Sequence, residues 1–350
     1  MKGGRMGHGV RRNARASHTM PSHPDDREGY AAVFTIPAQW WMVTNGVQSE
    51  RARARTRHTL RVHARDTWRA LARRGAAWRV DRFLAVIGVQ YPHGRHGFPA
   101  EAAETVKPII DAGTDMGLWS DDDSAHRCST IYHLMPGESA GDAHMLTVLI
   151  IPVPAKAPTY IAPRDINRRI LATDPMGYGA GSITMRIPFR LWVTSNLTDS
   201  DLVARQHGRR KAATWGSWKA YGVRANVADA LGKRARVAWE HNSMPPVPWD
   251  SYIVFAGVGY ASDVNADPDN AAETVNRLLH AGVEARMLPA VTPDRLKAVV
   301  FFRLAGKADP GMHDVKLYAV RIPRGVQWLD CLADSVRDSW DEWDGRHGKK

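Results

Sequence analysis

The chain has 350 residues, enough for two ordinary domains, and its hydrophobic content of 44% can form substantial cores. The net charge of +12 and the pI of about 9.9 favour an anionic partner, nucleic acid or less often an acidic membrane surface, with a solvated basic face as the alternative. Cys128 and Cys331 are the only cysteines, which excludes a disulfide framework and a CxxC zinc site and fits a reducing, cytoplasmic compartment.

The beginning of the chain is strongly basic. Residues 1–79 contain 16 Lys and Arg against 5 Asp and Glu, so this segment holds most of the excess positive charge. Residues 1–32 are rich in Gly, Arg and His and lack an apolar core segment, which predicts a disordered basic arm rather than a signal peptide. No apolar stretch is long enough to span a bilayer, so we expect no membrane partner.

The sequence contains an internal repeat. GVQY at Gly88 aligns with GVGY at Gly257, an offset of 169 residues, and the 26 ungapped positions from 88 to 113 include 11 identities. Two such copies predict an internal pseudo-dimer, which would let a single chain act as a monomer. The predicted parts are repeat 1 (33–153), a Pro- and Gly-rich linker (154–183), repeat 2 (184–323), and a C-terminal docking helix with a tail (324–350).

Each copy shows the same order of elements. A short strand that ends at an Ile-Pro pair leads to a long basic helix, a buried strand, a second helix and two further strands. The order β-α-β-α-β-β indicates an α+β or mixed α/β fold, in which each copy forms a small sheet flanked by helices.

The long basic helices, predicted over 49–78 and 204–231, are candidate DNA-binding surfaces. In the first helix, arginines recur every four residues from Arg57 to Arg73 and therefore form one stripe. Arginine makes bidentate phosphate contacts, so we expect this stripe to bind the DNA backbone. The DNA-binding candidates are Arg51, Arg53, Arg57, Arg61, Arg65, Arg69, Arg73, Arg209, Arg210 and Lys211.

Two acids in the second copy are candidate metal ligands. Asp267 and Asp269 flank Pro268 and precede Asn270. In an extended segment their carboxylates lie on the same side and can bind one hard cation such as Mg²⁺, with Mn²⁺ as a substitute. Such a site, supplied with DNA, would activate water and stabilise the phosphodiester transition state. The structural alternative is that Asp267 caps the following helix and Asn270 forms a turn.

A second acidic run, in GLWSDDDSAH, lies in the first copy. Asp121, Asp122 and Asp123 are adjacent and repel one another, so they need a cation or a solvated turn. Metal binding by Asp122 and Asp123 and a polar turn between a helix and a strand are both open at this point.

The order of strand, D-x-D-N, helix, D-D and strand resembles the RusA family of Holliday junction resolvases, which occur in bacteriophages and prophages. The resembling stretches are IPFRLWVTSN, DPDNAAETV and GLWSDDDSAH, and the resemblance covers most of both copies. It implies a Mg²⁺-dependent, dimeric endonuclease that cuts four-way DNA junctions in recombination and repair, in a bacterial or phage-infected cell. It also implies that Asp121, Asp122, Asp267 and Asp269 are catalytic, together with a helix lysine for which Lys107 is the candidate.

The two copies depart from the family pattern in complementary ways. Asp267 and Asp269 align with Phe98 and Ala100, so copy one lacks D-x-D-N, and the D-D-D run aligns with Ala-Val-Thr at 290–292, so copy two lacks D-D. Family sites draw both motifs from one subunit. Here the half-motifs would either meet across the interface as one composite site, or one of them would be residual.

Glu104 and Glu273 are acids that both copies retain. We expect them to be exposed near a helix N-terminus, where the helix dipole favours them; a supporting role beside the metal, shared with Asn270, is the alternative. For the whole chain, the alternatives to a nuclease are a catalytically degenerate protein that binds branched DNA and, third, a structural phage protein.

Overall fold

A computed structural model gives the fold of the chain. The residues that it describes are 29–43, 50–153, 180–194, 197, 199–207, 217–241, 249–261 and 266–332. The predicted basic arm up to residue 28, most of the predicted linker, the cluster Arg209, Arg210 and Lys211, and the tail after residue 332 lie outside them.

The described residues form eight strands and five helices, besides short 3-10 turns and a helical segment at 328–332. The strands are β1 (Tyr30–Ile36), β2 (Phe83–Gln90), β3 (Arg127–Leu134), β4 (His144–Pro152), β5 (Ala180–Pro188), β6 (Ser251–Tyr260), β7 (Leu296–Arg303) and β8 (Met312–Ile322). The helices are α1 (Glu50–Arg73), α2 (Ala103–Met116), α3 (Asp199–His207), α4 (Ser217–Glu240) and α5 (Ala272–Glu284). None of these helices is long and apolar enough to cross a membrane.

All eight strands belong to one mixed sheet, which confirms the predicted mixed α/β class. Their order is β1-β4-β2-β3-β7-β6-β8-β5. The pairs β2–β3 and β6–β7 are parallel, and the other neighbours are antiparallel. The small sheets predicted for the two copies are therefore joined into one continuous sheet.

The position of each strand in the sheet follows from its sequence. FLAVIGVQ in β2 and SYIVFAGVGY in β6 are almost continuously apolar, and nearly every residue in them is buried, because both faces of the central sheet are covered. The edge strand β1 alternates buried and exposed residues, since one of its faces is open to solvent.

The first half of the chain (residues 30–152) and the second half (180–322) contribute four strands each in the same order. From the sheet edge inward, these orders are β1-β4-β2-β3 and β5-β8-β6-β7. The halves meet where β3 pairs antiparallel with β7, and the register centres on Ile131 opposite Val300. These residues are 169 positions apart, the offset of the repeat, so the centre of the junction pairs equivalent residues.

Helices pack against the sheet in the same way in both halves. The indole N–H of Trp68 on α1 donates to the backbone oxygen of Ile109 on α2 at 3.0 Å. Trp239 on α4 donates to the backbone oxygen of Leu278 on α5 at 2.9 Å. Both tryptophans are fully buried, so each long helix is fixed to the short helix of its own half by the same contact.

An apolar cluster also lies on the face of the sheet opposite the helices. It includes Leu84, Phe255 and Val300, and the segment 326–332 packs on it through Trp328 and Leu332. The chain is helical from residue 328 to the end of the described range. This segment falls within the predicted docking helix and tail, and residues 333–350 lie outside the described part of the chain.

Three element boundaries differ from the predictions. β1 begins at Tyr30, before residue 33, and β5 begins at Ala180, within the predicted linker, because it pairs with β8 over nine residues. The basic helix predicted over 204–231 falls on α3, described to His207, and on α4, described from Ser217 and continuing to Glu240, while residues 208–216 lie outside the described part of the chain.

Candidate functional site

The sheet topology decides which acidic motifs can meet. Within the first half, β2 and β3 are parallel, so the loop after β2 and the loop before β3 lie at opposite ends of these strands. Across the junction, β3 is antiparallel to β7, and β7 is parallel to β6. The start of β3 therefore lies beside the end of β6, which brings the loop at 121–123 close to the turn that contains Asp267 and Asp269.

Arg127, the first residue of β3, occupies the centre of this meeting point. Its Nη1 lies 3.0 Å from Oδ2 of Asp269, and its Nη2 lies 3.2 Å from Oδ1 of the same carboxylate, a bidentate pair. The same Nη2 lies 3.2 Å from Oδ2 of Asp267 and 4.0 Å from Oδ2 of Asp122. We call Asp122, Asp267 and Asp269 the acidic cluster; its members come from both halves and surround one guanidinium.

Neighbouring side chains complete the site. The hydroxyl of Tyr132 on β3 donates to Oδ2 of Asp269 at 2.8 Å. Nζ of Lys107 on α2 lies 3.4 Å from Oδ2 of Asp267 and donates to Oδ1 of Asn270 at 3.0 Å. Lys107 belongs to the first half, and its two partners belong to the second, so the lysine also joins the halves.

Burial and charge act in opposite directions on the ionisable groups of the site. Burial raises the pKa of Asp122 to about 7, and the Asp267 carboxylate adds to this increase, while Arg127 opposes it. Burial likewise raises the pKa of Asp267. Burial alone would lower the pKa of Arg127, but Asp269, Asp267 and Asp122 outweigh it and hold that pKa well above its usual value. Arg127 is therefore a permanent cation with only 1% of its surface exposed.

The three acids of the D-D-D run have different environments. Asp122 faces Arg127, whereas Asp123 accepts hydrogen bonds from the backbone N–H groups of Ala125 and His126 and lies 2.7 Å from Nδ1 of His126. Asp121 is exposed, and its Oδ1 accepts from the backbone N–H of Asp122. The contacts of Asp121 and Asp123 are thus those of a polar turn. They give no support to the prediction that Asp123 binds a metal or to the prediction that Asp121 is catalytic.

A metal ion does not fit the site as it is arranged. Mg²⁺ and Mn²⁺ need several oxygen ligands around one open position. The guanidinium of Arg127 lies between the carboxylates that would supply those ligands. Among the residues that the structure describes, no group of three or more His, Cys, Asp or Glu side chains is arranged to hold a metal.

The equivalent position on the other side of the junction is apolar. Phe98 and Ala100 stand where the second half has Asp267 and Asp269, and Leu296 and Phe301 stand where the first half has Arg127 and Tyr132. All four are buried. The junction therefore carries one charged site and one apolar counterpart, rather than two equal sites.

Glu104 and Glu273 are buried, which corrects the expectation that they are exposed. Glu104 on α2 pairs with Arg57 and Arg53 of α1, and Glu273 on α5 pairs with Arg224 of α4 at 2.6 Å. Each glutamate thus holds the long helix of its half against the short one. Neither contacts Arg127 among the described interactions, so they contribute to helix packing rather than to the acidic cluster.

Much of the arginine stripe of α1 is paired with acids, although its side chains stay partly exposed. Arg61 forms a bidentate pair with Asp115 of α2 and also contacts Asp111, and Arg65 lies 3.8 Å from Asp115. Arg57 is bound to Glu104, and Arg69 pairs with Asp66 on its own helix. Four arginines of the predicted helix are exposed and pair with no acid in the described part of the chain: Arg51, Arg55, Arg73 and Arg74.

Sequence reasoning missed Arg127 and Tyr132. The signal was present in the repeat: at the offset of 169, polar Arg127 and Tyr132 replace apolar Leu296 and Phe301 inside otherwise buried strands. A charged residue in a buried strand needs a partner, and the acids retained in the other copy were the available ones.

Comparison of the chain with protein-family models, with curated proteins and with solved structures finds no match. The RusA resemblance therefore depends on the motifs and on the order of the elements that carry them.

Proposed function

We propose that this chain is a catalytically silent DNA-binding protein on a tandem-duplicated, RusA-like nuclease framework, selective for branched DNA. The observation that carries the proposal is the position of Arg127. The D-x-D-N half-motif of the second half and the D-D half-motif of the first come together at one composite site, but a guanidinium lies where the metal would bind. A buried arginine neutralises the acids without activating water.

The symmetry of the sheet supports the internal pseudo-dimer in this proposal. Four-way junctions have approximate two-fold symmetry, and the junction between β3 and β7 offers a matching axis at Ile131 and Val300. A single chain would then present two similar halves to two arms of one DNA junction, in the cytoplasm of a bacterial or phage-infected cell.

The charge of the chain supports DNA as the partner. The net charge is +12, and counterion release from DNA phosphates drives binding to such proteins. Much of the arginine stripe on α1 is neutralised by α2, so the stronger phosphate-binding candidates are the basic arm and Arg51, Arg55 and Arg73, which are exposed and pair with no acid among the described residues.

Mg²⁺-dependent junction cleavage is the second candidate function. It is favoured by the convergence of Asp122, Asp267 and Lys107 at a partly exposed rim. Cleavage would require Arg127 to leave the acidic cluster when DNA and metal bind.

The test is binding and cleavage of a synthetic four-way junction, compared with a duplex of the same length. We expect preferential, salt-dependent junction binding and no cutting with Mg²⁺ or Mn²⁺. Arg55→Ala should weaken binding, whereas Arg186→Ala, which removes an exposed arginine already paired with Asp309, is the charge-matched control and should weaken it less. Metal-dependent cutting that Asp267→Asn/Asp269→Asn abolishes would establish the nuclease instead, and equal affinity for duplex and junction would contradict junction selectivity.

A further inference from the structure

We infer that Arg127 is a built-in counter-cation that takes the place of a divalent metal, and that shortening this one side chain opens a metal site formed by Asp122, Asp267 and Asp269. The inference deepens the proposed function, since it explains why the framework is catalytically silent. It concerns metal binding alone and can hold or fail independently of DNA binding.

The geometry shows why one arginine can close this site. Its two terminal nitrogens contact both oxygens of Asp269 and one oxygen of Asp267, and Oδ2 of Asp122 lies 4.0 Å away. Its Nε donates to the backbone oxygen of Asp122 at 3.2 Å. Each of the three guanidinium nitrogens of Arg127 therefore contacts a carboxylate of the acidic cluster or the backbone of Asp122. The guanidinium fills the space between the two half-motifs.

The charges around Arg127 explain why a metal should replace it. Three carboxylates face two cations, Arg127 and the partly exposed Lys107. Oδ2 of Asp122 is buried and accepts no hydrogen bond from the described residues. Without Arg127, the two buried carboxylates of Asp267 and Asp269 and the partly buried carboxylate of Asp122 would share one lysine, and hard divalent cations bind such oxygen ligands. The removed guanidinium also leaves room for the water molecules that Mg²⁺ or Mn²⁺ retains.

The chain itself suggests the substitution. Leu296 stands at the position equivalent to Arg127, at the start of β7, and is buried there. A leucine is therefore compatible with the first position of this strand in the same type of sheet. Arg127→Leu removes the guanidinium and retains an apolar stem.

The experiment makes two measurements on the full chain. Electron paramagnetic resonance measures Mn²⁺ binding, and thermal unfolding measures the melting temperature in EDTA and in Mn²⁺. We expect the wild type to bind no Mn²⁺ at this site and to have the same melting temperature in EDTA as in Mn²⁺. Arg127→Leu should melt lower in EDTA, bind one Mn²⁺, and gain several degrees when Mn²⁺ is in large excess over its Kd. Arg127→Leu/Asp269→Asn, the matched control, should lose most of both effects.

Two results would overturn the inference. The first is stoichiometric Mn²⁺ binding by the wild type that Asp267→Asn/Asp269→Asn removes, since the site would then be open with Arg127 present. The second is an Arg127→Leu protein that binds no Mn²⁺. Should Arg127→Leu not fold in EDTA, recovery of folded protein by refolding in Mn²⁺ supports the inference, and failure to recover it counts against it.

Discussion

Replacing Asp269 with asparagine tests how strongly the acidic cluster holds the two halves together. Asp269 is buried and accepts hydrogen bonds from Nη1 and Nη2 of Arg127 and from the hydroxyl of Tyr132. Asparagine has the same shape but carries no charge and presents an amide N–H₂ group to one of these donors. Removing one member of a buried ion pair costs about 3–5 kcal/mol when the other member is left unpaired.

The remaining contacts set where in this range the cost should lie. Asp267 stays 3.2 Å from Nη2 of Arg127, so the guanidinium keeps one carboxylate. We therefore expect Asp269→Asn to lower the free energy of unfolding by about 3 kcal/mol, the lower end of the range. Asp121→Asn, at an exposed position in the same region, should change it by no more than about 0.5 kcal/mol.

Urea unfolding at neutral pH, followed by tryptophan fluorescence, measures both values. A loss below about 1 kcal/mol for Asp269→Asn would refute the reasoning, because an ion pair in a site this buried cannot be removed so cheaply. Equal losses for Asp269→Asn and Asp121→Asn would refute it as well.

Three further perturbations give expected outcomes. Burial raises the pKa of Asp122 to about 7, so the protonated carboxyl is compatible with the folded state and the ionised one destabilises it. The contribution of Asp122 to the free energy of unfolding is therefore fully present below about pH 4 and is lost as the pH rises through about 7. Asp122→Asn should stabilise the protein at about pH 8, and urea titrations should show that this gain vanishes near pH 4. Gly113→Ala should destabilise the protein by about 1–3 kcal/mol, because the new Cβ meets buried Trp119, whereas Gly222→Ala, in open space on α4, should stabilise it by about 0.5–1 kcal/mol. Deleting residues 1–28, which carry six Lys and Arg, should weaken DNA binding and flatten its salt dependence in titrations at several salt concentrations.

The internal repeat predicted much of the fold. An offset of 169 residues predicts the same elements in both halves, and the structure has the same strand order in each. What the repeat could not predict is the joining of the halves into one sheet. That depends on the edge of β3 being left free within its own half, and pairing of edges is decided by topology rather than by sequence pattern.

The arginine stripe shows the limit of reading one helix alone. Spacing identifies which arginines share a face, but not what that face meets. Glu104, Asp111 and Asp115 on α2 have helical spacings of seven and four, so they form a complementary acidic stripe. Reading α1 and α2 together would have indicated that these arginines form ion pairs with α2.

The sequence predicted which acids form the acidic cluster, but not the cation that balances their charge. Asp122, Asp267, Asp269 and Lys107 were identified from motifs, and the structure brings them together. Motif reasoning supplied a metal as the balancing charge because the family implies one. The physical requirement is only that buried carboxylates be paired, and Arg127 meets it.

The position of the Arg127 guanidinium between the two half-motifs can be tested directly. A crystal of the wild type is soaked in Mn²⁺ and measured by anomalous scattering. We predict no anomalous peak between Asp122, Asp267 and Asp269, and we expect Arg127 in bidentate contact with Asp269. A manganese peak bound by carboxylates from both halves, with Arg127 displaced, would contradict it.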